Sequence, residues 1–307
     1  MGTVLEIEAA GGPAASSLEV AVESAFVAVN RVEERLSNWR PDSELSRANR
    51  AAARGAFPLT AATAESLSAA LGLAEETGGT FDPTVGAITL ARLSAPAAGL
   101  VQRDFGNGAG EIGYRHARLD RSGSTLAFDL PGVLIDSGAF GKGEGLDAAA
   151  AALRDAGVES ARLNFGGQIL VFGSSTASGR SRLYGRVAVA FPDSSGRLVS
   201  RVVIPDGSLS TSGDAEQPGH LIDPRTGRVA AFHGSATAFA PSGFRADALS
   251  TALFVMGPDE GIAFADARQI PALYVDASGA RHSSHAWRLL PSWTEANQPP
   301  VSRRRNE

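Results

Sequence analysis

Six short segments of this 307-residue chain set charged or hydroxyl side chains beside glycine, or four residues apart on a helix, in ways that could serve chemistry. In Asp247-Ala248-Leu249-Ser250-Thr251 the carboxylate and the Thr251 hydroxyl project from one face of a helix, two hard oxygen donors suited to magnesium. The plain alternative is an aspartate near a helix N-terminus and an ordinary helical threonine. Asp136-Ser137-Gly138-Ala139-Phe140-Gly141-Lys142-Gly143 lies between an apolar strand and a helix. A turn of that kind offers backbone N–H groups and the positive end of a helix dipole to an anion, and Lys142 adds a charge. Phosphate is the natural guest, although the spacing is not that of a Walker loop. A tight turn with a solvated lysine would read the same way.

The segment His220-Leu221-Ile222-Asp223-Pro224-Arg225-Thr226-Gly227 gathers a histidine, a carboxylate and an arginine that could orient a phosphate or a proton transfer. A strand followed by a Pro-Arg-Thr-Gly turn is the simpler reading. In Gly78-Gly79-Thr80-Phe81-Asp82-Pro83-Thr84-Val85-Gly86 the paired glycines suggest backbone held close to a ligand, or a helix C-cap and a turn. Leu209-Ser210-Thr211-Ser212-Gly213-Asp214 has the composition of an exposed polar turn. Asn164-Phe165-Gly166-Gly167-Gln168 joins two strands and reads as a bulge.

These segments need elements to hold them. Val4 to Glu8 alternates as a half-buried strand, ended by Gly-Gly-Pro at 11 to 13. A helix from the Ser16–Glu19 capping box to Leu36 follows from Leu18, Val22, Ala25, Val29 and Val32. Helices are also predicted over 63–77, 147–155 and 246–256, the last stopped by Gly257 before Pro258 opens another. A hairpin is expected across Arg121-Ser122-Gly123, and strands at 160–165, 168–173, 185–191 and 197–204. Periodicity fails from 89 to 115, which predicts an irregular segment, and the tail from Pro291 predicts disorder. The sum is an α+β chain with antiparallel sheets and packed helices, one domain over 1–290 and a tail over 291–307.

Composition narrows the chemistry. With no cysteine, thiol catalysis, thiolate zinc sites and disulfides are excluded. A net charge of −5 gives no electrostatic reason to expect nucleic acid. No stretch approaches the roughly 18 to 20 apolar residues of a membrane span. Nor does Met1 to Glu6 read as a leader, so the expected compartment is the cytoplasm, or outside it if a leader has been trimmed.

In this order the segments resemble the ApbE family, flavin transferases that move FMN from FAD onto proteins. The resemblance is carried by Met1-Gly2-Thr3, by Ser37-Asn38-Trp39-Arg40-Pro41-Asp42-Ser43-Glu44-Leu45 ending in Asn49, by Gly79 to Val85, and by Asp136 to Gly143 with Asp147 after it. The helix of Asp247 and the segment from His220 complete it. The resemblance implies a T-fold-related architecture, magnesium held by Asp247, Thr251 and the Ala139 carbonyl, and His220 near the reacting phosphates. It also implies a flavin-nucleotide pocket of Met1, Ser37, Asn38, Phe81, Asp82, Lys142, Thr211 and Asp223. His220 or Asp214 is the expected base, and an acceptor protein bearing a threonine or serine the expected partner.

Two departures bear on the flavin grip and the acceptor surface. Glu144 stands where the family has an aromatic residue, and Asp214-Ala215-Glu216 lacks the aromatic that follows Thr-Ser-Gly-Asp. Magnesium-dependent FAD hydrolysis and non-catalytic FAD carriage are the competing readings.

Overall fold

Alternation of Leu5, Ile7 and Ala9 with Glu6 and Glu8 produces β1 (Leu5–Ala10), the outermost strand of a seven-stranded sheet. The computed structural model describes residues 3–12, 15–93, 112–120, 122, 124–173, 185–190, 198–215 and 219–292. After β1 come α1 (Ala15–Leu36), α2 (Glu44–Ala51), the short β2 (Phe57–Pro58), α3 (Ala61–Glu76) and α4 (Gly86–Leu93). A 3-10 turn at Tyr114–His116 leads into the hairpin β3 (Ala117–Asp120) and β4 (Thr125–Phe128), then α5 (Gly141–Asp155). Five strands follow: β5 (Ser160–Phe165), β6 (Gln168–Phe172), β7 (Arg186–Ala190), β8 (Leu198–Val203) and β9 (Gly207–Gly213). Two-residue strands β10 (Ile222–Asp223) and β11 (Arg228–Val229) precede β12 (Gly234–Ala240) and α6 (Gly243–Ala267). Last come β13 (Ala272–Asp276), β14 (Arg281–Ser283) and α7 (His285–Arg288).

The main sheet has the order β1-β5-β6-β9-β12-β13-β14, and every neighbouring pair is antiparallel. Helices α1, α5 and α6 cover one face and the β7–β8 hairpin covers the other. All five residues of β6 are therefore buried. Leu170 and Phe172 join Leu146, Ala149 and Leu153 of α5, while Ile169 and Val171 join Val187, Val189 and Val202 of the hairpin. On α1 the buried residues are Ala21, Ala25, Val29, Val32 and Leu36, one stripe at three- and four-residue spacing. Ala149 and Ala150 of α5 are fully buried, and side chains that small let helices approach closely.

Most predicted elements form, with instructive differences. Helix α1 begins at Ala15, so Ser16 lies inside it rather than at its cap, while α3 is capped by the Thr60 hydroxyl. Helix α5 starts at Gly141, directly out of the lysine loop, and α6 breaks where expected, at Gly257 with φ 73°. The irregular stretch expected from 89 is helical as far as Leu93, and 94–111 lie outside the described residues. The segment from Leu209 is not an exposed turn but β9, a strand inside the sheet. Its serines are answered by partners within the fold: Ser208 Oγ donates to the Ile169 carbonyl at 2.9 Å, and Ser212 and Ser250 share a hydrogen bond of 2.8 Å. Pro291 and Ser292 belong to the fold, since the Pro291 carbonyl accepts from Val203 N–H at 2.6 Å and Ser292 bridges Val202. The tail from 293 lies outside the described residues.

Candidate active site

Two loops are zipped together to make one wall of a cleft. The first leaves α3 through Gly78 and Gly79, both at positive φ that only glycine takes without strain. Asp82 then folds it: its carboxylate accepts from Thr84 N–H at 2.8 Å, Thr84 Oγ1 at 2.6 Å and Tyr114 N–H at 2.7 Å. Burial pushes that carboxyl above its ordinary range against those bonds. The second loop, Val133 to Gly138, runs alongside. Gly86 N–H donates to the Leu134 carbonyl at 3.0 Å and Asp136 N–H to the Pro83 carbonyl at 2.7 Å. A Cβ on Gly86 would stand 2.4 Å from the Leu134 oxygen, so this zip requires glycine there.

The lysine loop is fixed from behind by two asparagines. Asn38 donates to the Ile135 carbonyl at 2.7 Å and accepts from Ser137 N–H at 3.1 Å. Asn49 grips both the N–H and the carbonyl of Ile135, at 2.9 and 2.8 Å. In front, the Ser137 carbonyl accepts from Phe140 and Gly141 N–H, turning the chain into α5. Lys142 and Gly143 thus fall in the first turn of that helix.

The first turns of α5 and α6 touch glycine to glycine. A Cβ on Gly143 would lie 2.1 Å from the Gly243 carbonyl oxygen, and one on Gly243 would lie 2.4 Å from that of Gly143. Across this contact Asp247 accepts Gly143 N–H at 3.1 Å and meets Lys142 Nζ at 3.3 Å. Ser210 Oγ stands 3.4 Å from the same carboxylate. Asp247 is only 3 % exposed, yet all of these contacts are long. Thr251 Oγ1, one turn further on, is 3.2 Å from Ser212 Oγ.

The cleft between these parts has a volume of about 800 Å³. Its lining includes eight of the residues expected from the sequence: Phe81, Asp82, Ala139, Lys142, Thr211, His220, Asp247 and Thr251. Four others are placed differently. Ser37 and Asn38 lie behind the lysine loop, the Ser37 carbonyl accepting from Ser43 and Ser46 hydroxyls. Asp223 is engaged by its own turn, with Arg225 Nε at 3.0 Å and N–H at 2.9 Å. Asp214 accepts His233 Nδ1 at 2.7 Å and Gly234 N–H at 3.1 Å, outside the lining. Met1 lies outside the described residues. Sequence reasoning assigned no role to Ser210, Ser212 or Ser235, of which Ser212 and Ser235 line the cleft. The period-two serines at 208, 210 and 212 were the signal, since that spacing marks a strand with one polar face.

No cluster of three His, Cys, Asp or Glu side chains exists among the described residues. Residues that line the cleft include donors of the kind magnesium takes, the buried Asp247 carboxylate and the Thr251 hydroxyl, with the backbone of Ala139 in the same lining. Magnesium is commonly held by one or two carboxylates, with the remaining positions taken by water and ligand phosphate.

An antiparallel sheet under helices, with a lysine loop and an aspartate meeting where two helices begin, defines an α+β protein with a cleft walled by the abutting ends of α5 and α6. Residues 1–274 match the model of the ApbE family, and the chain belongs to that family. It is 32% identical to the FAD:protein FMN transferase of Vibrio cholerae over 290 residues, 90% of this chain and 85% of that protein. The solved structure of the flavin transferase ApbE from Vibrio cholerae superposes with a TM-score of 0.81 at 28% identity, covering 95% and 96% of the two chains. The ApbE protein of Thermotoga maritima, 24% identical, shares the fold with a TM-score of 0.81 over 94% and 96%.

Proposed function

We propose that this chain transfers the FMN half of FAD to a threonine or serine hydroxyl of an acceptor protein, releasing AMP, with magnesium bound at Asp247, Thr251 and the Ala139 carbonyl. The observation that carries this reading is the pair Asp247–Lys142, at 3.3 Å, on two abutting helix N-termini inside a cleft of about 800 Å³. Its relatives' names supply the substrate. A pyrophosphate placed there meets the Lys142 ammonium and the N-terminal end of α5. Magnesium, when bound, neutralises charge that develops on the phosphate oxygens as AMP departs.

In the transfer, the acceptor oxygen bonds to the FMN phosphorus, the bond from that phosphorus to the AMP oxygen breaks, and the hydroxyl proton passes to a base. His220 is the better base of the two expected candidates, because it lines the cleft and Asp214 does not. Asp82 supplies no ligand contact through its carboxylate in this reading; it shapes the loop whose backbone faces the cleft.

Product analysis tests the proposal. The protein is incubated with FAD and magnesium, with and without a candidate acceptor. FMN bound covalently to the acceptor plus AMP is the expected outcome. Free FMN and AMP irrespective of acceptor would make the chain a hydrolase, and unchanged FAD under all conditions a carrier.

A further inference from the structure

Asp147 does not line the cleft, yet it is the residue on which the position of α6 turns. Its two oxygens accept the N–H groups of Gly243, at 2.6 Å, and Phe244, at 2.9 Å, the first two residues of that helix. The third amide, of Arg245, is answered by Ser242 Oγ at 3.2 Å. In the opposite sense, Asp247 of α6 accepts Gly143 N–H of α5. Two carboxylates thus cross one glycine–glycine contact in opposite directions, each four residues beyond its own helix's glycine. Gln168 locks the same point by donating to the Gly243 carbonyl at 2.8 Å. Asp147 is half-buried, and that burial pushes its carboxyl up despite its amide bonds.

We infer that Asp147 is a positioning residue for the cation at Asp247: by holding the first turn of α6 against α5 it sets where the Asp247 carboxylate stands relative to Lys142 and Ala139. The inference rests on the reading of Asp247 as a magnesium ligand. Asp247 lies one helical turn beyond Gly243, so a shift of that glycine carries the carboxylate with it. Partners that fix a metal ligand from outside the coordination shell typically matter by about 10- to 100-fold in metal affinity.

The test reads magnesium binding rather than turnover. Magnesium is titrated into the full chain with FAD and no acceptor, and the magnesium-dependent rise in melting temperature is followed. Asp147→Asn keeps the side-chain shape but turns an NH2 group toward one α6 amide. Its half-saturating magnesium concentration should increase about 10-fold, with the full rise recovered at saturating metal. Asp147→Glu keeps the charge and both acceptor oxygens but lengthens the side chain that holds the first turn of α6, and should move the midpoint the same way. It decides alone if the Asn variant fails to fold. A melting temperature lowered equally with and without magnesium, at an unchanged midpoint, would overturn the inference and leave the metal reading standing. Asp247→Ala should abolish the magnesium-dependent rise. If that variant keeps the rise, or the native chain shows none, the metal reading falls and this inference falls with it.

Discussion

The first turns of α5 and α6 are built alike, and they differ in how their carboxylates are held. Each has a glycine at the contact, Gly143 or Gly243, and an aspartate four residues later, Asp147 or Asp247. Both aspartates reach across to the other helix. Asp147 makes two short bonds to backbone amides, 2.6 and 2.9 Å, and does not line the cleft. Asp247 makes longer contacts of 3.1 to 3.4 Å and faces the cleft. The difference separates two roles: the Asp147 carboxylate ties α5 to the amides that begin α6, and the Asp247 carboxylate, beside Lys142, is the one that lines the cleft.

The largest effect expected from this contrast is on activity. Asp247→Ala should lower AMP release from FAD by on the order of 100-fold or more, while stability falls by only about 1 kcal/mol for the single amide of Gly143 left without its acceptor. Asp147→Ala should do the reverse in stability, costing roughly 2 to 3 kcal/mol because the first two amides of α6, partly shielded from water, lose their acceptors. Chemical denaturation and AMP release measured on both variants check the pair. Equal losses in stability and in activity would erase the distinction between the two carboxylates.

A smaller effect sharpens the claim for the α6 side. Thr251→Val keeps the β-branched shape and removes one donor oxygen. The magnesium requirement for AMP release should rise roughly 3- to 10-fold, with stability nearly unchanged. Wild-type rates at limiting magnesium would remove Thr251 from the metal site.

The smallest effect concerns whether α6 is also held from outside. Arg245, in its first turn, donates to both oxygens of Glu76 at 2.8 and 2.6 Å. The Arg245 hydrogen bonds hold the Glu76 carboxyl below its ordinary range. A lowered carboxylate stabilises the fold above the ordinary glutamate value, and the gain is lost as pH falls through the folded-state value. Glu76→Gln should therefore cost less than about 1 kcal/mol at neutral pH, and nothing in strong acid. Melting curves at several pH values measure it. A larger cost would mean that this partly exposed pair, and not Asp147, sets the attitude of α6.

What could be read from the sequence was whatever is settled locally. The stripe from Ala25 to Leu36 gave α1, and Gly257 before Pro258 gave the break in α6, because both signals lie within a turn or two of what they decide. Lys142, Asp247 and His220 were legible as chemistry-bearing residues, and the cleft brings them together. Strand β9 was read as a solvated turn although its period-two serines mark a strand, because what their polar face meets, Asp247, Ser250 and Thr251, is brought there only by the fold. Asp147 failed for the same reason: the amides it accepts lie 96 and 97 residues away. Asp82 lines the cleft as expected, and the fold adds what the sequence did not show, that its carboxylate also holds Thr84 and Tyr114 of its own wall. Helix α2 hid in a polar stretch whose cap, Ser43, could be recognised only beside the helix it starts.

Strand β9 has a consequence for how the molecule wears out. Gly207, Ser208 and Leu209 pair with β6, while Ser208 to Gly213 pair with β12, so Thr211 and Ser212, which line the cleft, are bound to the sheet on one side only. Backbone held by one ladder opens in smaller local fluctuations than backbone held by two. The cleft-lining half of β9 should therefore exchange its amide hydrogens ahead of the half beside β6. On slow heating, loss of FAD binding should begin before loss of the sheet.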